Sequence, residues 1–245
     1  MNTLKDIIAD IVILGDIKGN PSLSINNGDT LGLGNLSIVE GDVDFGVPFD
    51  YLKETKNFSI TQGKLNLKTG VAYKLRGIGV DEFGKTPTVF IPSPVNVDSI
   101  FAYRQLNNKY KLNVFVSEYD IRDEYYYIQV KDENGLALRT TFNKNAAAYK
   151  PLHHKPGFLV DGSRIDDGVL EILVDSGSQG LLKNLKVELS NVSPSYYEFN
   201  YFYSNESQTG GLLNNPPIAA FNIRTKTAYG SFSALNTVQK LVPIR

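Results

Sequence analysis

Short apolar runs and period-2 alternation dominate the chain, the spacing that lays one face of a β-strand against a core. Residues 10–14 (DIVIL), 58–60, 64–67 and 71–75 (VAYKL) predict strands in the first part, with a brief one at 89–91. Leu23 and Ile25 alternate with serine after a Gly-Asn-Pro turn at 19–21, and Asn27, Gly28 and Asp29 turn the chain again. The Gly-rich stretch 31–44 predicts short strands with bulges. Further on, 99–103, 109–116 and 125–131 are rich in Tyr, Val, Ile and Phe, and the last two flank an acidic loop at 118–124. Asp132-Glu133-Asn134-Gly135 predicts a hairpin-type turn leading into 136–142. Strands at 169–174 and 183–189 surround a Ser-Gly-Ser-Gln-Gly loop, and strands at 219–223 and 230–242 close the chain.

One segment departs from this pattern. Ser193 is an N-cap candidate and Pro194 suits a first helical position, so SYYEFNYFYSN predicts a short helix over 194–204. Tyr196, Phe199 and Tyr203 would share one face of it, and Tyr197 and Tyr201 the next. A helix so rich in aromatic rings is expected to pack on a sheet, with hydroxyls reaching the surface. Pro92-Ser93-Pro94-Val95 disfavours both helix and central strand, which makes it the candidate linker. The expected fold is all-β: two β-sandwich-like units, 1–94 and 95–245, with the one short helix near 194–204.

Composition narrows the function. The 245 residues carry 25 Lys and Arg against 26 Asp and Glu, for a net charge of -1. That balance argues against nucleic acid as main partner, since phosphate binding draws on clustered positive charge. There is no Cys, which excludes disulfides, thiolate metal sites and cysteine nucleophiles, and there are only two His. No 18-residue apolar run exists to span a membrane, and Asp6 and Asp10 interrupt the apolar start in a way a secretory signal does not tolerate.

The sharpest motif is GVDEFGKT at 79–86, which fits the phosphate-loop template G-x-x-x-x-G-K-[ST]. Its chemistry needs a following helix, whereas Pro87 and Pro92 bound what comes next, and Asp81 and Glu82 would set two negative charges in the cradle. A hairpin loop is the expected reading. His153 and His154 lie between Pro151 and Pro156, and adjacent strand residues point to opposite faces, so they do not grip one metal together from regular structure. Carboxylates cluster at Asp42 and Asp44, at Asp120, Asp123 and Glu124, and at Asp161, Asp166 and Asp167. None follows the EF-hand calcium template, and solvated loop charge is expected there. No catalytic residue, cofactor or metal is expected. The residues singled out for ligand or partner contact are Tyr197, Tyr201, Asp120 and Asp123. Asn-x-Ser sequons start at Asn35, Asn57, Asn191 and Asn205.

An ordered series of segments covers about three quarters of the chain: GVAYKL at 70–75, TVFIPSPVNVDSI at 88–100, YYIQV at 126–130 and FLVDG at 158–162. VELSNVSPSYYEF at 187–199, Asn215-Pro216-Pro217, FNI at 221–223 and AYGSFSA at 228–234 complete it. This series resembles Bacteroidetes-type outer-membrane lipoproteins of unknown function, often encoded beside TonB-dependent receptors. The resemblance implies an immunoglobulin-like β-sandwich followed by a second β-rich domain, and no enzymatic activity. It brings no catalytic residues with it, and the lipidation cysteine is absent here. The expected function is a non-catalytic cell-envelope binding or accessory module, with an outer-membrane receptor or assembly neighbour as protein partner and carbohydrate as a further ligand class. A structural protein of a bacteriophage virion or extracellular assembly is the alternative, which would place the chain in a virion or in the cytoplasm rather than at the cell surface. A carbohydrate-active enzyme working through loop carboxylates is the third reading.

Overall fold

The computed structural model describes residues 7–11, 20–27, 34–41, 47–48, 50–52, 57–59, 67–78, 87–117, 124–142, 148–152, 155–165, 168–177, 180–209, 223–224 and 229–245. Nearly all the regular structure in them is β, so the protein is all-β and β-sandwich-like in architecture. In chain order the strands begin with β1 (Ile7–Ile11), β2 (Asn20–Asn27), β3 (Gly34–Glu40), β4 (Val47–Pro48), β5 (Asp50–Leu52) and β6 (Asn57–Ser59). Next come β7 (Ala72–Ile78), β8 (Thr88–Phe90), β9 (Val97–Arg104), β10 (Lys109–Val116), β11 (Tyr125–Lys131) and β12 (Arg139–Phe142). Then follow β13 (Tyr149–Pro151), β14 (Phe158–Asp161), β15 (Val169–Asp175) and β16 (Asn184–Val192). The helix α1 (Pro194–Thr209) precedes β17 (Ile223–Arg224) and β18 (Tyr229–Pro243).

The chain divides into two units, one of Met1–Ser93, Ser193–Phe202 and Leu213–Asn236, the other of Pro94–Val192, Tyr203–Leu212 and Thr237–Arg245. The first passage between them falls at Ser93-Pro94, within the Pro-Ser-Pro segment, which lies outside any strand. The division differs from a simple 1–94 and 95–245 split because Ser193–Phe202 and Leu213–Asn236 return to the first unit and β18 is divided between Asn236 and Thr237.

In the first unit, β4-β3-β7-β8 form one sheet, β5 and β6 pair as a hairpin, and β1-β2 continue to β18. The pairing of β3 with β7 shifts register between Gly34 and Ser37, a bulge in the Gly-rich stretch where the sequence calls for one. Where a Gly-Asn-Pro turn is expected at 19–21, Asn20 and Pro21 instead open β2, a strand start where proline is tolerated, and Gly19 lies outside the described residues. Strand β8 runs antiparallel to β7, with Lys74 opposite Thr88. The phosphate-loop template at 79–86 therefore joins two paired strands and is followed by a strand rather than a helix; the loop itself lies outside the described residues. Ile38, Tyr73, Leu75, Ile91 and Phe232 are among the side chains that fill this unit's interior.

The helix starts at Pro194, as the proline and the preceding serine lead one to expect. The Ser193 carbonyl accepts from the amides of Tyr196 and Tyr197 at 3.0 and 3.2 Å, which places Ser193 at the cap position. Its hydroxyl, however, serves the sheet rather than the helix: Ser193 Oγ accepts from the Ala234 amide at 3.0 Å. Ser195 Oγ donates to the Phe232 carbonyl at 3.1 Å, and Ser231 Oγ to the Ser195 carbonyl at 3.2 Å. Small hydroxyls thus fix the helix start to β18 with little loss of rotamer freedom.

In the second unit, two sheets share one core. One runs β12-β15-β10-β9 and the other β18-β16-β11-β14-β13. Alternation is strict: β10 buries Tyr110, Leu112, Val114 and Val116, β11 buries Tyr126, Ile128 and Val130, and β15 buries Leu170, Ile172 and Val174. Leu185, Val187 and Leu189 of β16 complete the facing layer. Each such side chain, fully removed from water, stabilises the unit by about 1.5–3 kcal/mol. Phe142 and Tyr149 stack at 4.0 Å, with Phe158 edge-on to Phe142 at 4.5 Å, joining the outermost strands β12 and β13 to the β14 side of the core.

Candidate functional site

Strand register brings three loops to one end of the second unit. Lys109 pairs with Asp175, Arg139 with Asp175, and Tyr110 with Arg104, so β9, β10, β12 and β15 end together. Lys131 pairs with Lys186 in the other sheet, where β11 ends and β16 begins. The β9–β10 turn, the β11–β12 turn and the β15–β16 loop therefore lie side by side. The last residues join them: the Ile244 amide donates to the Lys183 carbonyl at 2.9 Å, and the Arg245 amide to the Ala102 carbonyl at 2.9 Å.

These loops hold one another in place. The Asn108 side-chain amide donates to the Gly177 carbonyl at 3.2 Å, and Ser176 Oγ bonds the carbonyls of Asn108 and Gly180, each at 3.1 Å. The Leu182 amide donates to the Tyr110 hydroxyl at 2.9 Å. Glu133 Oε1 accepts from the backbone amide and the side-chain amide of Asn184 at 2.8 and 3.0 Å. Within the β11–β12 turn, buried Asp132 accepts from the amides of Asn134 and Leu136. Asn107 and Asn108 both take positive φ, 59° and 56°, conformations that asparagine tolerates better than most residues and that tighten the β9–β10 turn.

On this scaffold sit exposed leucines. Leu106 is 85% exposed, Leu181 65% and Leu136 58%, one from each loop, and Leu241, toward the end of β18, is 66% exposed. Together with Tyr103, near the end of β9, they are the exposed large apolar side chains among the described residues of this unit. Leu136 falls in the strand expected at 136–142, but β12 begins only at Arg139 and leaves it in the turn; Leu106 and Leu181 carry no expectation because a lone leucine beside Asn or Gly has no period to report. The available signal was the opposite one: an apolar residue inside a turn, as in Gln105-Leu106-Asn107 and Gly135-Leu136, where no core position exists.

The residues singled out from sequence lie elsewhere or outside the described set. Tyr197 and Tyr201 stack on the open side of α1 with ring centres 5.8 Å apart, and Tyr201 is exposed. Asp120 and Asp123 lie outside the described residues, as do His153, His154, Asp166, Asp167, Asp42 and Asp44. Asp161 is bound up in its own turn: Oδ1 accepts from the amide and hydroxyl of Ser163, and Arg164 Nε sits 3.0 Å from Oδ2. Of the four sequons, Asn191 is 2% exposed, closed to any glycan on the folded chain. The side chains of Asn35, Asn57 and Asn205 lie outside the described residues. Among the described residues no helix is long and apolar enough to cross a membrane. No family model, curated protein or solved structure matches this chain.

Proposed function

We propose that this protein is a non-catalytic binding or accessory module of the cell envelope, and that it engages its partner through the loop end of the second unit. One observation carries this reading: three loops, tied to each other by hydrogen bonds, each hold an exposed leucine in water. Leaving such side chains solvated costs free energy, and apolar surface rimmed by polar residues marks places where proteins meet partners. Loops on a rigid sandwich are also where binding residues usually stand. The ordered motifs from 70 to 234 support the envelope setting, an immunoglobulin-like first unit and an association with an outer-membrane nutrient receptor. The Tyr197–Tyr201 stack offers a second contact surface suited to sugar or protein.

The test is retention of the purified full chain by envelope fractions. Leu106→Ser combined with Leu181→Ser should reduce retention at least tenfold. The melting temperature should move by no more than about 2 °C, because exposed substitutions cost about 0.5 kcal/mol or less. Retention equal to that of the parent removes the loop end from the function.

A further inference from the structure

We infer that the loop end docks on an anionic lipid surface; this rests on reading that end as the binding face, and adds the chemistry of what it binds. The charge around the leucines is one-sided. Arg104, Lys109, Arg139, Lys183, Lys240 and Arg245 are exposed in the segments that make this end, and Glu133 is the exposed acid among their described residues. Asp132 is buried, and the half-buried Asp175 accepts the Gly177 amide at 2.8 Å. Behind them, Lys111 pairs with Glu171 at 3.3 Å and Lys131 with Glu188 at 2.7 Å, which neutralises these two strand lysines and leaves the excess to the six exposed cations. The whole chain is nearly balanced, with 25 basic and 26 acidic residues, which makes this end a local excess.

Leucine tips inside a cationic rim match a surface that is apolar at depth and anionic at its face. The most exposed apolar groups at this end are single leucines on separate turns, suited to shallow insertion. The loops also arrive with many backbone groups already paired: Asp132 takes the Asn134 and Leu136 amides, and the Ser176 amide and hydroxyl both go to the Asn108 carbonyl. Such pairing lowers the cost of bringing the turns to the boundary between headgroups and acyl chains, beyond which the hydrocarbon offers no partners to backbone groups. Each lysine or arginine held near an anionic leaflet strengthens binding by roughly fivefold, and salt weakens the effect.

Co-sedimentation of the full chain with vesicles decides the matter, comparing phosphatidylcholine alone with phosphatidylcholine containing phosphatidylglycerol. Binding to the anionic vesicles should be at least tenfold tighter than to neutral ones, and should fall steeply between about 0.1 M and about 0.5 M salt. Leu106→Ser with Leu181→Ser should weaken it about tenfold, as should Lys109→Glu with Lys183→Glu. The charge-reversed pair keeps the test decisive should the serine pair fold poorly. Equal binding to neutral and anionic vesicles, or no binding to either, overturns the lipid assignment. If the chain ignores vesicles but an envelope protein retains it through the same leucines, the lipid inference fails and the binding-module reading stands. If neither retains it, both fall.

Discussion

Asp132 is 5% exposed, yet it sits in a turn that the sequence marks as polar. Its Oδ1 accepts from the Asn134 amide at 2.9 Å and the Leu136 amide at 2.7 Å, and Gly135 follows with φ of 87°. Asp132→Ala strands two amides in a covered position and should cost about 1–3 kcal/mol. Asp132→Asn keeps an acceptor there and should cost less; chemical denaturation of the two variants checks the order. Glu198 on α1 works against the fold. Burial pushes its carboxyl above the ordinary carboxylate range. The folded chain thus holds this proton where the unfolded chain has released it, so stability falls as pH rises from the unfolded value through the folded one. Glu198→Gln should therefore raise the melting temperature at about pH 7 and leave it unchanged at about pH 3. The turn around Asp132 was legible because Asp-x-Asn-Gly has one local meaning. The roles of Leu106, Leu136 and Leu181 were not, since exposure depends on what fails to cover a side chain.

Among elements, the strands of the second unit were the most legible: alternation over 109–116 and 125–131 matches β10 and β11 residue for residue. Strands β4, β5 and β13, two or three residues long, carry too few positions to show a period. The helix was legible in its start and less so in its buried face. Tyr196 and Phe202 are buried and Phe199 is half-buried, but Asn200 is buried beside them, its side-chain amide donating to the Tyr196 carbonyl at 2.8 Å. That internal bond lets a polar residue take a core position, so the covered side includes Asn200 and Phe202 besides the expected Tyr196 and Phe199; the Tyr203 side chain lies outside the described residues. Tyr196→Ala should cost about 3 kcal/mol, a melting drop of roughly 6–12 °C, while exposed Tyr201→Ala should move it by about 2 °C or less. Before β14, Gly157 takes φ of 97°, and a Cβ there would stand 2.5 Å from the Ile128 carbonyl oxygen and 2.9 Å from Tyr127 Cε2. Gly157→Ala combines backbone strain with a clash against a core strand and should destabilise by about 2 kcal/mol or more, read from the denaturation midpoint.

For the whole molecule, the prolines at 92 and 94 flag only the first passage between units. Among the later passages, Val192-Ser193 falls where a strand meets a helix, so Pro194 reads as a helix start rather than a boundary, and Asn236-Thr237 falls within the continuous strand β18, where no proline or glycine stands at the crossing. A fragment of residues 1–94 lacks the helix start and the β18 half that belong to its unit, so it should show no cooperative thermal transition. A sharp transition in that fragment would mean that the later segments are dispensable to the first unit. The shared strand also sets the order in which the protein is completed during synthesis. The first unit's early strands leave the ribosome well before residues 193–236 that finish it, a delay on the order of ten seconds at ordinary elongation rates. Throughout that interval the edge of β2 that β18 later pairs is open to wrong partners.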